Sequence, residues 1–171
     1  MVRGVDRAEA LGDFLLVLAA ANTFSGGLTV AQGKVTVSDA GALGSGNATI
    51  GNAGTMVINQ SVTNNINVSG NGLIGGTLVA SVASGNVSFG AITVGDHGTV
   101  SRGTTIGSLT STSMTLSGGA RLEFKIWDVN TQVAGVGYDQ FAFGNLDLSG
   151  ASVSNKVVIK LISMSDASTF G

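Results

Sequence analysis

His97 is the only histidine in the 171-residue chain; Asp96 stands beside it and Ser101 follows four residues later. Acid, base and nucleophile invite a hydrolytic triad, but a triad requires the three groups to converge in space. Gly95 and Gly98 flank the pair, so an exposed, solvated turn is the expected reading. A second set joins Asp128, Asp139 and Asp147 with Arg121 and Lys125. Clustered carboxylates beside a cation are the raw material of a polysaccharide lyase or hydrolase, and the paired carboxylates of a glycosidase stand about 5–10 Å apart. The expected role of these residues is instead to solvate outer faces. Gly137-Tyr138-Asp139 offers calcium a single carboxylate, far short of a six-oxygen site. Trp127 and Tyr138 could stack on sugars, but isolated as they are, core or edge packing is expected. Asn47, Asn59, Asn67 and Asn86 open Asn-x-Ser/Thr triplets, which a chain rich in these residues contains by chance. No catalytic residue, cofactor site or metal site is therefore expected.

Composition narrows the classes further. Lys and Arg number 8 against 10 Asp and Glu, a net charge of −2, with no Cys and no Pro. The balance gives no basic face for nucleic acid, and the absence of Cys removes disulfides and thiolate metal sites. No apolar run reaches the roughly 18 residues of a membrane-spanning helix, so this segment is not expected to insert into a membrane. Gly (27), Ser (19), Thr (16) and Asn (12) dominate the polar residues, and 43% of the chain is hydrophobic. That apolar share is too large for disorder. Gly and small polar residues disfavour long helices, while Val and Thr favour strands.

The elements that must position these side chains are short strands. Candidates include Phe14–Leu18, Leu28–Val30, Lys34–Val37, Thr55–Ile58, Ile66–Val68, Thr77–Val79, Ala91–Val94, Arg121–Trp127, Gln140–Leu148 and Val157–Ile162, separated by Gly- and Asn-rich turns. In Arg121–Ile126 a period of two puts Leu122, Phe124 and Ile126 on one face and Arg121, Glu123 and Lys125 on the wet one. Val157, Ile159 and Leu161 continue the inward pattern. Strand starts every 8–14 residues, few aromatics and no proline favour a solenoid of continuous ladders. At roughly 20–25 residues per lap the chain supplies about seven. Charge is uneven: residues 14–95 hold only Lys34 and Asp39, while 96–171 hold eleven charges. Residues 1–13 read as a ragged N-terminal segment or cap, and 14–171 as the solenoid, with 14–19 as its first buried strand. Arg3 and Arg7 before Phe14–Ala21 faintly suggest a signal peptide, which Asp6, Glu9 and Asp13 interrupt. The final Phe170-Gly171 without a closing element reads as the end of a fragment.

Residues 16–46 resemble the autotransporter-associated β-strand repeat, also called the passenger-associated transport repeat. The likeness rests on Asn22-Thr23-Phe24-Ser25-Gly26-Gly27 and Gly33, followed by Ala42-Leu43-Gly44-Ser45-Gly46. Ala20 and Val35 replace a usual Gly and Leu. The stretch Leu116–Gly150, with Gly137–Phe141, is similar to the end of large bacterial surface proteins carrying such repeats. The resemblance implies an all-β, right-handed, single-stranded parallel β-helix, with a β-sandwich as the alternative. It further implies an exported segment at the surface of a Gram-negative-type bacterium, structural or adhesive, with a glycan or host-surface ligand. Phe24 is expected to fill a corner of the core, Gly26-Gly27 to allow the bend after it, and Asn22 to join an amide ladder or serve as a plain turn. Uncapped ends are expected to pair end to end.

Overall fold

The computed structural model describes residues 8–10, 14–82, 85–128, 130–166 and 169–170, with side chains from 14 to 165. Fourteen strands follow in order: β1 (Ala8–Ala10), β2 (Leu15–Leu18), β3 (Leu28–Val37), β4 (Ala48–Ile58), β5 (Ile66–Val68), β6 (Thr77–Ala80), β7 (Asn86–Val94), β8 (Thr99–Ser101), β9 (Ser108–Leu116), β10 (Arg121–Ile126), β11 (Gln140–Phe143), β12 (Leu146–Asp147), β13 (Val158–Asp166) and β14 (Thr169–Phe170). There is no helix among the described residues.

The strands pair in parallel from lap to lap, and among the described strands only the terminal pair β13–β14 is antiparallel. The chain is a β-solenoid, and the parallel winding excludes the sandwich alternative. On a first face Leu28, Ala48, Ile66, Ile92 and Met114 stack in one column. On a second, Val35, Met56, Leu78, Val100 and Leu122 do the same. A third face, formed by the starts of β7 and β9 and by β11, stacks Val87, Leu109 and Phe141. Alternate residues point inward, and nearly all of these stacked side chains are fully buried. Burying each aliphatic side chain contributes about 1.5–3 kcal/mol, and a column repeats that contribution once per lap. Outward on the first face, Thr29, Thr49, Asn67, Thr93 and Thr115 form a polar column.

The winding amounts to about five turns, fewer than the seven expected. From Leu28 the laps take 20, 18, 26, 22 and 32 residues, ending at Leu146. Their mean still falls within the expected 20–25 residues, so the shortfall lies in the residues before Leu28 and after Leu146 rather than in longer laps. β1 pairs with Leu28–Val30, so stacking reaches into the stretch expected to be ragged; residues 1–7 and 11–13 lie outside the described residues.

Three expectations about burial are corrected at the ends and at one loop. Leu15, Leu16 and Val17 do not form a buried strand: they are 67%, 36% and 52% exposed, because β2 lies at the edge of the stack. Ile159 and Leu161 continue the inward columns of Leu122 and Phe124 but are 61% and 66% exposed, since no described lap covers them. Lys125, read as a wet-face residue, is fully buried. The 127–139 excursion folds back over it and delivers Asp139 to its ammonium at 3.0 Å.

Candidate functional site

Two groups of ionisable side chains occupy the later laps, one inside and one outside. The inner group is Arg102, Lys125 and Asp139. Extending the β6–β8–β10 register by one residue sets Arg102 in line with Ala80 and Phe124, an inward position filled by Val37 and Ile58 in earlier laps. Its side chain is fully buried. Nη1 donates to the Ala80 carbonyl at 2.6 Å and Nη2 to that of Gly85 at 3.3 Å, while Nε has no partner. The guanidinium lies against Gly107, where a Cβ would overlap it. Asp139 accepts the Gly107 N–H on Oδ1 at 3.1 Å, and the Lys125 N–H (2.8 Å) and ammonium (3.0 Å) on Oδ2. Burial lowers the Arg102 pKa, and the nearby Asp139 charge opposes that shift. One buried carboxylate thus pairs with Lys125 and acts on Arg102 only through its nearby charge. Sequence reasoning missed Arg102, although the signal was there: counting in twos from the inward Val100 lands on it.

The outer group lies at the turn between β7 and β8. His97 adopts a left-handed backbone with φ of 61°, uncommon for a residue with a Cβ. Its Nδ1 is 2.6 Å from Asp96 Oδ1. The ionised carboxylate can only accept, so Nδ1 carries the proton and Nε2 is left for other partners. Gly119, at φ +78°, packs so closely beneath this pair that a Cβ there would overlap the Asp96 carboxylate. The 149–157 loop is pinned alongside: Gly118 N–H donates to Gly150 O, Gly119 N–H to Lys156 O and His97 N–H to Gly119 O. Between loop and sheet lies a groove of about 390 Å³ lined by His97, Arg121, Ser154, Asn155, Lys156 and Val158 among others. A second depression, of about 430 Å³, shares Arg121 and Val158 and adds Thr99, Glu123 and Lys160. Lys160 pairs with Glu123 at 3.0 Å.

The remaining candidates are dispersed. Ser101 stands beyond Thr99 and Val100, its Oγ accepting the Gly103 N–H, so it does not complete a triad with His97. Asp128 caps its own turn by accepting the Asn130 N–H, and Asp147, in line with Thr115 on the first face, accepts that of Ser149. These two and Asp139 therefore occupy a loop, an outer face and the interior. Trp127 is 40% exposed beside the 127–139 loop, and Tyr138 is half-buried, bridged to Ile126 and Ala134.

In the repeat-like segment, Phe24 is buried in the core. Gly27 (φ +88°), Gly33 (φ +72°) and Gly44 (φ +62°) are left-handed, and a Cβ on Gly44 would overlap the Phe24 carbonyl. Asn22 Nδ2 donates to Ala42 O at 2.8 Å, and Asn64 Nδ2 to Gly46 O at 2.7 Å and Gly44 O at 3.1 Å. These amides clamp backbone carbonyls of neighbouring laps. Thr23, Ser25 and Gly26 are exposed at the same corner.

No protein-family model, curated protein or solved structure matches the chain. Among the described residues, no helix is long and apolar enough to cross a membrane, and no group of three or more His, Cys, Asp or Glu could hold a metal ion.

Proposed function

We propose that the chain is a non-catalytic structural and display segment of an exported bacterial surface protein, as the resemblance of residues 16–46 implies. The observation that carries this reading is the lap-on-lap stack itself. Its stabilising contacts repeat along one axis, as in other repeat proteins, and its outer columns in the early laps are mostly small and polar. Such a rod can hold other segments away from a cell envelope. Protease applied to intact source cells should remove the segment, and antibodies raised against it should label those cells without permeabilisation. Labelling seen only after lysis would overturn the surface assignment.

The ends add a property to this proposal. Ile159 and Leu161 at one end, and Leu16 at the other, occupy inward columns and are exposed. A second copy offers each end the same parallel edge that a neighbouring lap offers inside, so copies stack head to tail, a contact that does not close. Sedimentation velocity should show concentration-dependent association, reduced by Leu161→Lys. A strictly monomeric chain at high concentration would remove this part of the proposal.

A further inference from the structure

We infer that the outer groove beside His97 binds an acidic oligosaccharide through Arg121 and Lys156. Glu123 is ion-paired with Lys160, and Asp96 is hydrogen-bonded to His97. Arg121 and Lys156 line the same groove, both exposed and neither in an ion pair among the described residues. The groove is therefore lined by two cations without an ion-pair partner among the described residues, with the Asp96 carboxylate beneath them, in a chain whose net charge is −2. An arginine fork and an ammonium lining one groove suit carboxylates carried on one ligand.

Construction of the wall gives a second, independent argument. His97 holds a left-handed backbone that a residue with a Cβ adopts less readily than glycine, and such outliers concentrate at functional sites. The conformation aims an imidazole, oriented by Asp96, into the same space. Gly119 leaves room for that carboxylate, and two backbone hydrogen bonds, from Gly118 to Gly150 and from Gly119 to Lys156, tie the 149–157 loop to the laps beneath. The site is thus assembled before any ligand arrives.

The rest of the lining selects the ligand class. Ser154, Asn155 and Thr99 supply hydroxyl and amide groups that both donate and accept, as a polyhydroxylated ligand requires. Val158, shared by both depressions, offers an apolar patch for the C–H face of a sugar ring. The two depressions share Arg121 and Val158, an adjacency that suits a linear chain better than a compact ion. Two free cations are too few for a nucleic-acid backbone, whose binding rests on neutralising many phosphates.

The test titrates the purified chain with an oligogalacturonate by calorimetry, which is independent of where the protein resides in the cell. Saturable binding is expected, weakened by added salt and lost with the methyl-esterified oligomer. Arg121→Gln and Lys156→Gln should each weaken it roughly tenfold, the loss of one charge-assisted hydrogen bond. The double variant should abolish it, and Lys34→Gln, which alters a lone cation elsewhere, should leave it unchanged. Unaltered thermal unfolding of the Gln variants would separate lost binding from lost fold. Equal affinity for the methyl ester, an equal loss in Lys34→Gln, full competition by inorganic phosphate at the same concentration, or no saturation at millimolar ligand would each overturn the inference.

Discussion

The laps from Leu28 to Ala80 and those from Val94 to Asp147 share one winding and differ in what fills it. In the early laps the second-face column reads Val37, Ile58, Ala80, and no charged side chain enters the core. One lap later the same column receives Arg102, and Lys125 and Asp139 are buried beside it. The first two laps take 20 and 18 residues, the last 32. An apolar lap needs only its neighbours, so it can be short and repeated. A lap containing buried charge must recruit a counter-charge from elsewhere, and the 127–139 excursion does this by bringing Asp139 back over Lys125. Irregularity of length and charge thus arise together.

The largest expected effect tests that account. Asp139→Ala leaves two interior cations with no carboxylate, and breaking a buried pair by removing one partner costs about 3–5 kcal/mol. Urea unfolding should show it, and limited proteolysis should show the 127–139 loop freed first. A loss under about 1 kcal/mol would mean that the loop is held by its backbone hydrogen bonds alone.

Next comes the apolar half. Ile50→Ala in the centre of the stack should cost about 2–5 kcal/mol, a buried large-to-small change. Ile159→Ala, on the same kind of inward position but 61% exposed, should stay within about 0.5 kcal/mol. Equal effects at both sites would show that the end lap is covered in solution, by a second copy or by further chain.

Much of this contrast was legible beforehand, and what was not has physical reasons. Alternation in Arg121–Ile126 gave the face of Leu122 and Phe124, and Gly- and Asn-rich turns gave the corners. Period two reports which way a side chain points, not whether something later covers it. Lys125 accordingly points outward and is buried, while Ile159 and Leu161 point inward and are exposed. Ser108–Ser111 was not recognised as a strand because Ser-Leu-Thr-Ser has one apolar residue to mark its face. The groove was illegible for another reason: Asp96-His97 read as an exposed turn, and its partners Arg121 and Lys156 arrive from the next two laps, at separations no local pattern fixes.

A smaller effect concerns Arg102. Its pKa is lowered by burial, so the folded chain releases this proton more readily than the unfolded chain does. Folding is therefore opposed by that desolvation at all pH values below the lowered pKa, and the opposition is relieved only in the alkaline range. Arg102→Met keeps an unbranched apolar stem between Ala80 and Phe124 and makes this lap resemble the early ones. Stability at neutral pH should be unchanged or rise by about 1 kcal/mol, since replacing buried charge by packed apolar volume is often neutral or favourable. A loss above about 2 kcal/mol in urea midpoints would instead credit the bonds to Ala80 and Gly85 with holding the 80–86 corner.

The smallest effect separates the two regions by acid alone. From Thr29 onward the outward column of the first face runs Thr29, Thr49, Asn67, Thr93, Thr115 and then Asp147, and of these positions only the last is an acid. Hydrogen bonds from the Ser149 N–H and hydroxyl hold the Asp147 carboxyl below its ordinary range. A depressed carboxylate stabilises the folded chain above the unfolded value of about 3.9, and this contribution is lost as pH falls through the folded value. Asp147→Asn keeps an acceptor for the Ser149 N–H and removes the titration. Hydrogen exchange of the Ser149 amide should accelerate in acid, relative to Thr93 and Thr115, in the parent chain and not in the variant. Equal acid sensitivity in both would show that the Asp147 carboxyl does not hold this turn, and that its bonds to Ser149 are not what distinguishes the last lap in acid.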